Sequence, residues 1–196
     1  MIALGAALAL VLATDVAPPP PMTPQDMPTT TTPPQVPAKT APASKVTTPL
    51  MAKYAGKITA KASTSWPGWE PERLIDGDPA TSWFSAKGDS AAHGKKPWVE
   101  VTFPADVVVK SVRVLGNVEP SWPKGFTIRY GVLELLDANH KVIAKVDNEG
   151  KNAVADVDFI LKAPVSGVRS VRFTSLFDEG KNTPYEDIAL AEILVE

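Results

Sequence analysis

The chain has 196 residues, 20 of them Lys or Arg and 22 Asp or Glu, for a net charge of −2, and it contains no cysteine. That balance excludes the basic surface on which nucleic-acid binding depends. The missing cysteine excludes disulfides, thiolate metal sites, a cysteine nucleophile and lipidation of a cysteine.

Lys39, Lys45, Asp15 and Asp26 are the only charges before residue 51, so the remainder also carries −2. Alternating hydrophobic segments begin only after Lys53, which implies one core of about 140 residues, a comfortable single-domain size. Three regions follow: 1–17, 18–51 and 52–196.

Residues 1–13 are an uncharged run dominated by Ala, Leu, Val, Ile and Gly, followed by Thr14-Asp15. A transmembrane helix needs about 20 such residues, so this run alone is too short to span. It fits the apolar core of a signal peptide, with Val11-Leu12-Ala13 as the cleavage site, although the basic region in front is missing. Translation starting upstream of Met1, or the far end of a membrane anchor from a longer polypeptide, would account for that gap. Either origin makes the expected location extracytoplasmic: secreted, periplasmic or anchored at the cell surface.

Between Pro18 and Pro49 lie eleven of the twenty prolines and eight threonines. Such a segment cannot bury enough apolar area to offset its ordering entropy, and proline stiffens it toward polyproline II. The expectation is a disordered stalk, extended at about 3.1 Å per residue. Glycans on its threonines are a further option.

From Lys57 the sequence breaks into short strands separated by Gly, Pro, Asn and Asp, with no sustained helical period. Strands are predicted near 58–62, 98–103, 107–115, 126–136, 142–146, 153–161, 168–175 and 190–195, which suits an antiparallel jelly-roll β-sandwich of about eight strands. Leu133, Leu135 and Leu136, followed by the turn Asp137-Ala138-Asn139-His140 and then Val142-Ile143, predict a hairpin.

The stretch Leu74 to Trp83 contains Asp76, Asp78 and Thr81, three oxygen side chains close together, with Gly77 and Pro79 turning the backbone between them. Two arrangements satisfy these residues. One is a wrap around a hard cation such as Ca²⁺, which takes six to eight oxygens from carboxylates and carbonyls. The other is an Asx-type turn in which Asp76 and Asp78 bond nearby amides.

Asp-Gly-Asp-x-x-Thr-x-Trp at 76–83, Pro97-Trp98-Val99-Glu100-Val101 and Ile188-Ala189-Leu190-Ala191-Glu192-Ile193 occur in this order. Together they resemble discoidin (coagulation factor 5/8 type C) domains, members of the galactose-binding-like β-sandwiches, over residues 52–196. The resemblance implies a structural calcium held by Asp76, Asp78, Thr81 and Glu192, with carbonyls near Arg73 and Ala191 completing the shell. It also implies ligand binding at the loop end of the sandwich, and core packing for Trp83 and Trp98.

Trp66, Trp69 and Trp122 lie instead in turn-rich segments, where a large ring has no periodic reason to be. They are either ligand platforms or lids on the core. Around Trp122 stand Asn117, Glu119 and Lys124, able to bond hydroxyls beside a stacking surface, whereas Arg113 and Arg129 suit the solvent faces of their strands. Phe177, Asp178, Glu179, Tyr185, Glu186 and Asp187 form an acidic and aromatic return loop.

His93 and His140, the only histidines, have no metal-ligand spacing and are expected to be solvated. A nucleophile elbow, a phosphate loop and a desolvated carboxylate pair are absent, and Glu70 and Glu72 lie in no context that would desolvate them. The expected function is therefore non-catalytic: a carbohydrate-binding module for cell-surface or extracellular glycans. A protein or lipid adhesion module, or an accessory domain of a larger enzyme, is the alternative.

Overall fold

The computed structural model describes residues 45–119, 121–122, 126–147 and 156–196. The leader and almost all of the stalk therefore lie outside the described residues, as do Lys124 and the start of the strand expected at 153–161. No helix among the described residues is long and apolar enough to cross a membrane.

A short helix α1, Pro49–Lys53, precedes seven strands: β1 Thr59–Ala62, β2 Trp83–Phe84, β3 Trp98–Gly116, β4 Ile128–Leu136, β5 Val142–Asp147, β6 Val157–Asp178 and β7 Ala189–Val195. Pairing is antiparallel throughout. The first half of β3 pairs with β1 on one side and with the second half of β6 on the other; β4 and β5 continue that layer. The second half of β3 pairs with β7, which carries β2, and with the first half of β6. Two layers result, linked by two strands that pass from one to the other, as expected of a jelly-roll sandwich.

This explains why eight strands were expected and seven occur among the described residues. The predicted segments 98–103 and 107–115 are one strand, and so are 153–161 and 168–175 as far as they are described. Pro104-Ala105-Asp106 reads as a break, but the ladder continues through register shifts between Thr102 and Val107, Val107 and Val109, and Val109 and Ser111. Bulges bend a strand without ending it. The strand missed altogether, β2, is two residues long and too short to show a period.

Val99, Val101 and Phe103 from β3, Leu133 and Leu135 from β4, Phe159 and Phe173 from β6, and Ile193 from β7 fill the space between the layers, with Trp83 beside them. Trp98 falls in the opposite phase of β3 and is half-buried on the outer face, not in the core as the resemblance implied. There the Arg172 guanidinium lies 4.7 Å from its ring centre. Gly131 allows β4 to approach β6, because a Cβ at that position would sit 2.4 Å from the Phe173 ring.

The folded unit also begins earlier than residue 52. Thr48 caps α1 by accepting the Met51 amide at 3.2 Å, with Pro49 following at the first helical position. Met51 is buried in the main core, and the Val46 amide donates to Gly77 O at 2.9 Å. Proline and threonine, read as stalk, are here the start signal of a helix.

Met51→Ala is therefore expected to cost about 2–4 kcal/mol in urea unfolding, and a chain beginning at residue 45 to be more stable than one beginning at residue 54. Gly131→Ala should lower stability by about 1–3 kcal/mol through overpacking; an unchanged midpoint would show that Phe173 moves aside freely.

Candidate functional site

Because β3 and β6 double back, the segments near 63–70, 85–97, 117–127 and 178–188 gather at one end of the sandwich. Carboxylates tie them together, Asp178 and Asp187 buried and Asp89 half-buried. Asp178 accepts the amides of Ala91 at 2.7 Å and Ala92 at 3.2 Å and the Ser175 hydroxyl at 2.8 Å. Asp89 accepts the hydroxyls of Ser63 at 3.0 Å and Thr64 at 2.5 Å. Asp187 accepts Trp66 Nε1 at 2.9 Å and the Thr183 hydroxyl at 2.9 Å; burial pushes its carboxyl up, and those two donors pull it back.

On this frame the Tyr185 ring stands edge-on to both Trp66, at 5.4 Å, and Trp122, at 5.5 Å. Three loops far apart in sequence thus contribute one group of half-buried aromatic rings. Beneath it lies a small second core of Trp69, Phe84, Phe126 and Ala189. Trp69 belongs to that layer and not to the exposed group. It is 8% exposed, packed edge-on against Phe84 at 4.8 Å and covered by the Arg73 guanidinium at 4.5 Å, so neither face is open.

Asn117 and Glu119 sit next to Trp122 but support it from below. Asn117 donates through Nδ2 to Trp122 O at 2.5 Å and accepts the Glu119 amide at 3.0 Å, while the Trp122 amide donates to Glu119 O at 3.0 Å. The Glu119 side chain turns inward: the residue is 4% exposed, burial raises its pKa, and Arg73 opposes that rise. Both residues shape the loop that carries Trp122. Lys124 lies outside the described residues. Arg113 pairs with Asp158, and Arg129 with Glu179.

Three residues were missed or undervalued. Tyr185 is the ring that joins the two tryptophans. Phe177 is 60% exposed at the same end, next to Asp178. His93 is not free in solvent: Ser90 Oγ lies 3.0 Å from Nδ1, and Glu186 Oε1 lies 3.4 Å from Nε2. Strand-end aromatics beside acidic residues were the available signal for Phe177 and Tyr185. His140 likewise has a partner, Glu100 at 3.0 Å.

The Ser90, His93 and Glu186 trio has the residue types of a hydrolytic triad without its access. Ser90 is fully buried, and the Gly180 backbone packs so closely on it that a Cβ there would lie 2.4 Å from Ser90 Oγ. No substrate carbonyl reaches that hydroxyl, and the trio is a latch for the return loop.

At the 76–81 turn, Asp78 N donates to Asp76 Oδ1 at 2.6 Å, Ala80 N to Asp78 Oδ1 at 3.1 Å, and the Thr81 hydroxyl to Asp76 Oδ2 at 2.9 Å. The Asx-type turn is formed, and Gly77 at φ +76° permits it. Glu192 on β7 is 0% exposed, and neither of its carboxylate oxygens has a hydrogen-bond partner. Burial, then the charge of Asp76 and the close approach of the Asp76 carboxyl, which favours a proton between the two, and more weakly the charge of Asp78, push its carboxyl up to about 9; the nearby Gly77 amide pulls the other way, although neither approach meets hydrogen-bond geometry. Among the described residues, no three His, Cys, Asp or Glu side chains form a metal-holding cluster by themselves. Any cation here would draw on the Thr81 hydroxyl and backbone carbonyls as well as carboxylates.

Comparison with known proteins bears on the fold. No curated protein matches the sequence. The lectin domain of Lectinolysin complexed with Lewis B antigen superposes with a TM-score of 0.57 at 18% identity, covering 77% of this chain and 98% of that one. The family 32 CBM from C. perfringens NanJ in complex with galactose gives 0.54 at 17% identity, covering 71% and 93%. Chitosan-binding module 1 from the chitosanase/glucanase of Paenibacillus sp. IK-5 gives 0.54 at 19% identity, covering 71% and 95%. The family model for the F5/8 type C domain matches residues 59–189, two thirds of the sequence, and the chain belongs to that family of discoidin domains.

Proposed function

We propose that the protein is a non-catalytic carbohydrate-binding module that takes glycans at its loop end, with Trp122, Trp66 and Tyr185 as the platform. The observation that carries this reading is the convergence of these three rings, from three separate loops, at the end of the sandwich. A flat, half-exposed indole suits the apolar face of a sugar ring, and the carboxylates beneath hold the loops so that little order is lost on binding. Solved F5/8-like modules bound to Lewis b antigen, galactose and GalNAc-β-1,3-galactose support it. Export and display on the proline-rich segment fit such a role, because weak sites gain avidity when presented together.

Ca²⁺ is proposed as a structural ion between the 76–81 turn and β7. The residues fit it: Glu192 is an orphaned buried carboxylate beside Asp76 and Asp78, an arrangement that costs free energy unless a proton or a cation neutralises it. Asp76, Asp78, Thr81 and Glu192 would hold the ion.

Two measurements test these readings. Affinity for a hit from a glycan array is expected near 0.1–1 mM, since each polar bond mostly replaces one to water. Trp122→Ala should weaken it by at least about tenfold while the melting curve shows a folded domain. Retained sugar binding in that variant, or binding to liposomes alone, would count against the site or the function respectively.

Saturating calcium should raise the melting temperature by about 5–10 °C over chelator, and Asp76→Ala should abolish the difference. The pH dependence has a definite sign. Without metal, the folded state keeps a proton on Glu192 that the unfolded chain releases near pH 4.3, so this stabilisation is lost as pH rises toward 9. Calcium replaces that proton, so the gap between calcium and chelator should widen from pH 5 to 8; a gap independent of pH would mean Glu192 is not a ligand.

A further inference from the structure

We infer that the outer edge of β5 is an interaction surface, and that its occupant is the same edge of a second copy of this chain. β5 ends the strand order β2-β7-β3-β6-β4-β5, and no other described strand pairs with its outer side. An edge strand offers its outward amides and carbonyls to any strand that can lie beside it.

The usual protections of such an edge are weak here. β5 is six residues long and contains no proline. Its one lysine, Lys145, is turned back over the sheet, with Nζ 3.2 Å from Glu134. The bulge in the β4 and β5 ladder falls at the start of β5: Leu136 faces Val142 and Leu135 faces Ala144, so Ile143 is the extra residue, and Ala144 to Asp147 stay in regular register. Val142 and Ile143 are 42% and 39% exposed, the one place among the described residues where two large exposed hydrophobics are consecutive.

The segment is also complementary to itself. Lys141-Val142-Ile143-Ala144-Lys145-Val146-Asp147 can lie antiparallel on its own copy with Ala144 opposite Ala144, so that Val142 meets Val146 and Lys141 meets Asp147. A two-fold axis makes each of these pairs twice. The neighbouring symmetric registers are centred on Lys145, which sets that ammonium against its own copy, and on Ile143, which sets Lys141 against Lys145. Like charges directly opposite are unfavourable, so charge selects the register centred on Ala144.

Direction follows from the same pairing. β4 leaves the loop end at Ile128 and β5 returns toward it, so antiparallel copies carry their loop ends at opposite ends of the dimer. Such a dimer bridges two glycan-bearing surfaces; that consequence rests on the function proposed above, whereas the dimer itself does not.

Seven residues a side make a short interface, so association is expected to be weak. Sedimentation velocity of the full chain should show monomer at about 5 µM and dimer at about 0.5 mM. Ile143→Lys, at an exposed position that would oppose Lys145, should melt as the full chain does and stay monomeric throughout. Lys141→Glu, opposite Asp147, should weaken association at least about tenfold. Because the chain has no cysteine, a single one reports the register. Ala144→Cys should form an interchain disulfide under mild oxidation, since opposed residues lie about 4.5–5.5 Å apart between Cα atoms. Val142→Cys should not, because its copy lies about 14 Å away along the strand. Trp122→Ala, which removes the glycan platform, should dimerise as the full chain does. The proposal is overturned if the full chain is monomeric at the higher concentration, if Ile143→Lys leaves the dimer intact, or if Val142→Cys cross-links as readily as Ala144→Cys. It is equally overturned if Trp122→Ala abolishes the dimer, which would place the contact at the loop end.

Discussion

The pairing of β3 with β6 along nearly their whole length is the constraint on which the rest of the domain depends. Each strand is longer than one layer of the sandwich, so each must cross to the other layer, and they cross together because they remain hydrogen-bonded to one another. The register shifts between Thr102 and Ser111 provide the bend. One consequence is thermodynamic: both layers share two strands, and neither can separate without breaking the central ladder. The other is geometric, since each long strand begins and ends at the same end of the molecule and the loops attached to them are forced together.

That crowding of loops is stabilised by Asp89, Asp178 and Asp187 used as acceptors for loop amides, hydroxyls and an indole, beside the ion pair of Glu179 with Arg129. Asp178 alone collects two amides from the Ala91 turn, the Ser175 hydroxyl and its own Gly180 amide. A buried carboxylate with several donors is stable where an unpaired one would not be. The acidic residues of the return loop are thus largely spent on architecture. The rings of Trp66, Trp122 and Tyr185 stay half-exposed among them, so this end of the domain presents a surface suited to stacking.

Much of this was legible in the sequence. The hairpin of β4 and β5, the phases of β3 and β7, and the Asp76 turn follow from residue type and spacing, because each depends on neighbours close in the chain. The rest depends on partners far away. Nothing local distinguishes Trp69, under Arg73, from Trp66, beside Tyr185. Trp98 was placed in the core on resemblance, whereas its phase relative to Val99 and Val101 already sends it outward. Glu119 looked like a ligand-binding carboxylate because it follows a strand; its burial comes from the fold above it. Thr48-Pro49, a helix start by its own chemistry, was hidden by the composition of the residues before it.

The two candidate sites at the 76–81 turn and at the loop end are also connected through the chain between them. Arg73 lies in the middle of the 3₁₀ turn Pro71–Ile75 that leads into Asp76, and its guanidinium covers Trp69 while opposing the raised pKa of Glu119. Glu119 in turn bonds through its backbone to both Asn117 and Trp122. The turn that carries Asp76 is therefore continuous with the segment that sets the floor under the aromatic rings. Whatever neutralises Glu192, a proton or a cation, does so one helical turn from the residue that braces Trp69. A structural ion in this fold need not touch a ligand to influence its binding, because the loop that would hold the ion and the layer that supports the platform are consecutive pieces of one short stretch of backbone.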